Sequence, residues 1–171
     1  MKGKKFYIIL IGLVIIGLTS IFFYQRQQEA RFSEFKGYEI SEIEARVAAL
    51  YNEDETDIVK DISENELEEL TAVFEDLEED NFERRNERRL KDAQLDFLMA
   101  KEMHNLQQEV QKLFVEEDVI DRTVSIETVS NLQKEVEVYE IKPVYFERNM
   151  EFLEDAKSQL TTIETAKKFI D

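Results

Sequence analysis

The sequence has no cysteine, a single proline (Pro143) and only four glycines among 171 residues. Without cysteine there can be no disulfide and no thiolate metal site. A cysteine-free chain also suits an extracytoplasmic protein of a Gram-positive bacterium. The four glycines (Gly3, Gly12, Gly17, Gly37) all lie near the N-terminus, and none follows Gly37. The long remainder of the chain therefore lacks the residue that phosphate-cradling loops and tight hairpin turns depend on. Helices joined by short polar loops are the expectation.

Basic side chains are also scarce, with 22 against 39 acidic ones. Three of the 22, Lys2, Lys4 and Lys5, precede the first apolar run, and no acid occurs before Glu29. Setting those three aside leaves 19 basic against 39 acidic side chains, a balance of −20. Such a charge repels nucleic acid and anionic lipid, so no nucleic-acid partner is expected.

What is present begins with Phe6 to Tyr24, an unbroken run without a charge. At ~1.5 Å per residue this run just spans a hydrocarbon core of roughly 30 Å. Tyr7 and Tyr24 stand near its ends, where amphipathic rings favour the interface. A cleaved signal peptide would have a shorter apolar region followed by an A-x-A site. The expectation is an uncleaved anchor at 6–24, contacting the membrane. The lysine cluster places residues 1–5 in the cytoplasm and the acidic bulk outside the cell. Gly12 and Gly17 do not make a G-x-x-x-G dimer face.

A polar stalk occupies 25–40, and a helical domain is expected over 41–171. Ser41 with Glu44, and Ser63 with Glu66, have the spacing of capping boxes. After the second, Leu67, Leu70, Phe74 and Leu77 recur at spacings of 3, 4 and 3, one apolar helical stripe. This pattern is repeated. Val47, Leu50 and Tyr51 match Val110, Leu113 and Phe114 at an offset of 63. Ile58, Ile62 and Ser63 match Ile120, Val124 and Ser125 at an offset of 62. The stripe returns as Val129, Leu132, Val136 and Tyr139. Arg85, Asn86, Leu90, Asp92 and Ala93 match Arg148, Asn149, Leu153, Asp155 and Ala156, again at 63. The single-position changes in offset fall between elements, where a change of length costs least.

The expected fold class is all-α. An N-terminal transmembrane helix precedes an elongated helical bundle of two tandem repeats, about 43–109 and 110–171. A long central helix, from about Phe82 to Phe114 and roughly 50 Å in length, closes the first repeat and opens the second. Two small units sharing a spine bury more surface than either does alone.

Candidate chemistry is sparse. Asn86, Asn149 and His104 lie on apolar stripes, where a buried amide must be hydrogen-bonded and is expected to hold a neighbouring loop or helix end. His104 has no E-x-x-H or H-x-x-x-H partner. The loop after Tyr51 offers Glu53, Asp54, Glu55 and Asp57, but it lacks the glycine and the final glutamate of an EF-hand. Arg84, Arg85, Arg88 and Arg89 stand together in an acidic surround, with Asp80 to Arg84 and Glu87 to Lys91 as i,i+4 pairs. The four acids and the four arginines form the candidate interaction surface. No nucleophile-base pair is present. No catalytic residue, metal or cofactor is expected, and the protein is read as a non-enzyme.

The repeated V-x-x-L-[FY], acidic loop, [IV]-S, apolar stripe and L-x-D-A resembles the first extracellular domain of the mid-cell-anchored protein Z family, over about 43–156. The resemblance implies a helical pedestal of a single-pass, division-site protein of Gram-positive cocci. That family's cytoplasmic segment and its wall-binding domain have no counterpart among these residues, so ring binding and glycan binding are not carried over. The expected function is a non-catalytic spacer or protein-interaction module in the cell envelope, linked to cell division or wall organisation, with an envelope protein or wall component as partner. The alternative is a membrane-anchored immunity or inhibitor protein that neutralises a basic toxin or enzyme.

Overall fold

The apolar stripes read in the sequence become the buried faces of short helices packed on two long ones. The computed structural model describes residues 39–77, 84–116 and 118–169, except for the side chains of Arg84 and Arg85. The described part of α1 covers 39–48. It is followed by α2 (Glu64–Leu77), α3 (Arg84–Gln111), β1 (Phe114–Glu116), β2 (Val119–Ile120), α4 (Ile126–Glu137) and α5 (Pro143–Lys168).

Local sequence accounts for several boundaries. Ser125 caps α4, its hydroxyl accepting the Thr128 N–H at 3.0 Å. Pro143 begins α5, where its fixed φ suits the first turn and its missing N–H is not needed. Lys167 and Lys168 close α5 at the negative end of the helix dipole. Ser41 departs from expectation. Residues 39 and 40 are already helical, so Ser41 lies inside α1 rather than at its cap. Its hydroxyl and the Glu44 carboxylate both face Arg89 of α3 instead.

The core has two clusters strung along α3. The first gathers Val47, Leu50, Leu67, Leu70 and Phe74 around Phe97, Ala100 and Met103. The second gathers Val129, Leu132, Val136, Leu153 and Leu160 around Leu106, Val110 and Leu113. Tyr145 of α5 belongs to the first cluster, and Tyr139 packs against both. Their rings meet edge to face at 5.6 Å, a preferred aromatic geometry.

The backbone frame recurs along the chain. Val59 N–H donates to Leu50 O at 3.0 Å, and Asp121 N–H donates to Leu113 O at 2.8 Å. Tyr51 forms an antiparallel bridge with Ile58, and Phe114 pairs with Ile120. The four positions of the first frame map onto those of the second at the two offsets of the sequence repeat.

Two expectations are corrected. The described chain is not purely helical, because β1 and β2 form a two-stranded antiparallel sheet. The central helix consequently ends at Gln111, and Phe114 enters a strand. Leu113 O takes the N–H of Asp121 across the turn, which holds the chain in a hairpin rather than in a further helical turn. At ~1.5 Å per residue the 28 residues of α3 span roughly 42 Å. The second correction concerns the membrane. Among the described residues no helix is long and apolar enough to cross one. The long helices α3 and α5 carry charges along their length, which a hydrocarbon core would not accept. Against the expected transmembrane fold and single-pass, extracellular localisation, the described residues supply no membrane-spanning helix. The 6–24 run, residues 1–5 and the stalk as far as residue 38 lie outside the described residues.

Candidate functional site

The loop between α1 and α2 is organised by Asn52. Its Oδ1 accepts the N–H groups of Thr56 and Asp57 at 2.9 and 3.2 Å, and its Nδ2 donates to Thr56 Oγ1 at 3.0 Å. These bonds replace the glycine that a tight loop ordinarily uses. Glu55 adopts the left-handed region, with φ 53°, a conformation that carries a steric cost for a residue with a Cβ.

Of the four acids proposed as a surface, Glu53, Asp54 and Glu55 are exposed. Asp57 is 5% exposed and joins the two halves of the molecule. Its Oδ2 lies 2.8 Å from Arg148 NH1, and its Oδ1 accepts from Arg148 NH2 at 3.0 Å and from the Ile58 N–H at 2.8 Å. Burial raises the Asp57 carboxyl above its ordinary value, while the Arg148 guanidinium pulls it down. Arg148 also donates to Gln107 Oε1 on α3 at 2.7 Å.

Two further bonds fasten α5 to this loop. The Tyr145 N–H donates to Thr56 O at 3.2 Å. Lys142 Nζ donates to Glu55 O at 2.8 Å and lies 4.4 Å from the Tyr51 ring centroid, within range of a cation–π contact. Beside Lys142 a cleft of about 180 Å³ opens between α1, the loop and α3. Its polar groups largely serve one another. Tyr51 Oη donates to Asp96 O at 2.7 Å, Arg89 is occupied by Glu44, and Lys142 by Glu55. Burial raises Asp96, with Lys142 opposing.

Of the four arginines, Arg89 is engaged by α1. Arg89 donates through Nε to Glu44 Oε1 at 2.8 Å and through NH2 to Ser41 Oγ at 2.8 Å. Arg88 is exposed and 3.9 Å from Asp92. The side chains of Arg84 and Arg85, and all of Asp80, lie outside the described residues.

The stripe polars are internal. His104 is 5% exposed, and its Nε2 lies 3.1 Å from Glu64 Oε1 at the start of α2. Asn149 donates to Tyr145 O, one turn back in the same helix, at 2.9 Å. The bond ties Asn149 to the first turn of α5, at the start of its own helix. Asn86 is buried on α3. Among the described residues no group of three His, Cys, Asp or Glu is placed to hold a metal ion.

The sequence reading missed Asn52, Gln159 and Tyr145. Gln159 accepts the Ile120 N–H through Oε1 at 3.1 Å and donates through Nε2 to Asp118 O at 2.7 Å, holding the hairpin against α5. An asparagine directly after Tyr51 was a local signal for a side-chain-organised loop. Gln159 and Tyr145 had no local signal, since each acts on a residue about 40 positions away. No protein-family model, curated protein or solved structure matches the chain.

Proposed function

We propose that this protein is a non-catalytic helical module that holds an interaction surface at fixed geometry, acting as a spacer or as a protein-binding scaffold. The observation that carries the reading is the junction between α5 and the first loop. One buried carboxylate, one backbone amide and one ammonium from opposite halves of the chain are paired there. A junction of this kind fixes relative position and supplies no reactive group. Asp57 has its oxygens occupied, and Lys142 is spent on a carbonyl and a ring face. The resemblance of residues 43–156 to a helical pedestal points the same way.

The reading is tested by distance. Spin labels at the exposed positions Glu68 on α2 and Glu164 on α5 should give one narrow distance distribution that is the same at low and high salt. Exposed charge contacts are screened over ~8 Å at physiological ionic strength, whereas packed helices keep their length. A broad or salt-dependent distribution would sink the fixed-geometry reading. In cells, neutralising Glu53, Asp54 and Glu55 together should preserve function if the module works by geometry. Loss of function with the fold intact would instead point to a partner that reads the charge of that loop.

A further inference from the structure

Each half of the molecule carries an open groove between its entry helix and its medium helix, and the two grooves are built from equivalent positions. The first lies between α1 and α2 and encloses about 390 Å³. The second lies between α3 and the end of α4 and encloses about 350 Å³. Ile43 and Leu106 occupy the same place in the two floors, at an offset of 63. Leu77 and Tyr139 occupy the same place on the opposite banks, at an offset of 62. Glu39 and Glu102 share the rim at 63. The remaining lining positions correspond at the same two offsets, so the groove recurs with the register of the chain.

Their chemistry is also shared. Each has an apolar floor and an acidic rim, with Glu42 and Asp76 joining the rim of the first and Glu109 and Glu135 that of the second. The second groove has no cation in its lining. The cation of the first, Arg46, is turned onto Glu66 and Glu69 of α2 at 2.9 and 3.1 Å. Apolar surface continues out of the second groove. Val138 on its bank is 73% exposed, and Leu98, one turn before Glu102 on the same face of α3, is 47% exposed.

We propose that these two grooves are paired docking sites for basic amphipathic helices of a partner protein, an inference that rests on the scaffold reading above. An apolar stripe would lie on the floor, and flanking lysines or arginines would meet the rims, as in helix-in-groove recognition. The net charge of −17 opposes a second copy of this chain in the same place. A partner that carries two such helices on one chain gains from the second site through effective concentration.

The probe is a fluorescein-labelled amphipathic leucine/lysine peptide, titrated against the intact protein and read by anisotropy and calorimetry. Two peptides should bind per chain. Glu109→Lys should close the second groove and Glu42→Lys the first, each lowering the stoichiometry to one and weakening the affected site about tenfold or more. Glu53→Lys makes the same charge change on the exposed loop and should leave both sites intact. Val138→Ser separates docking from simple attraction, because it removes apolar surface and leaves the charge unchanged. It should weaken the second site. Equal weakening by Glu53→Lys and Glu109→Lys, unchanged binding by Val138→Ser, or no saturable binding would each overturn the proposal. If any of these occurs while the spin-label distance stays narrow and salt-independent, the docking sites are lost and the scaffold reading stands. If the distance broadens, the scaffold reading itself is lost.

Discussion

The loop after α1 and the hairpin after α3 solve one backbone problem in two ways. Both turn the chain back with the same hydrogen bond, Val59 to Leu50 O in one and Asp121 to Leu113 O in the other. The first is then filled by a side chain, Asn52, and covered from outside by Tyr145, Lys142 and Arg148 of the other half. The second pairs its own strands and is held from within its own half by Gln159. Its tip residues Val115 and Val119 stay exposed. The difference shows how a repeat is made asymmetric. The first unit spends polar side chains on the junction with the second, and the second unit satisfies its loop from its own helix.

The comparison implies that the halves are coupled through α5, and Tyr145 gives the largest test. It is fully buried, and its hydroxyl donates to Met103 O at 2.8 Å. Tyr145→Ala should cost about 3–5 kcal/mol and lower one cooperative melting transition rather than split it. A transition confined to either half would break the coupling. Next come the equivalent stripe residues Leu70 and Leu132, both buried. Leu→Ala at each should cost about 2–5 kcal/mol, again within one transition. If each substitution affects a separate transition, the halves fold independently.

Smaller effects sharpen the contrast between the loops. Asn52→Ala removes three hydrogen bonds from the first loop and should cost about 1–2 kcal/mol in chemical denaturation. Val115→Ala, at the equivalent hairpin position, should stay within about 0.5 kcal/mol because that side chain is exposed. Equal costs would mean that Asn52 is not the organiser of its loop.

The smallest test concerns pH. Burial raises Asp57 in the folded state above the ordinary 3.8, so the folded protein binds this proton more tightly than the unfolded chain does. The contribution of Asp57 to stability is therefore fully present below the unfolded value and is lost as pH rises through the raised folded value. Relative to Asp57→Asn, which cannot ionise, wild type should gain stability as pH falls through that window. A difference with the opposite slope would show that the Arg148 pairing outweighs burial.

Much of the helical plan was legible because it is periodic. The 3, 4 and 3 spacing from Leu67 to Leu77 needs only the geometry of one helix to predict a buried face, and Leu67, Leu70 and Phe74 are buried. The capping spacing of Ser41 and Glu44 misled for the opposite reason. Arg89, far along the chain on α3, competes for both side chains, and a local pattern cannot weigh a partner so distant. The pairing of Arg89 was equally out of reach, since it depends on where α1 packs.

By itself, the sequence determined where apolar faces recur, that the pattern returns at offsets of 63 and 62, and that acidic charge dominates. Composition and periodicity are properties of a chain read one element at a time. Only the tertiary structure decided that Asp57 is buried against Arg148 while its neighbours Glu53 and Asp54 face solvent. It also decided that the second loop pairs as strands, and that equivalent residues from two helices line an open groove in each half. Each of these depends on which distant surface displaces water from a side chain, and burial and pairing exist only once the helices have met.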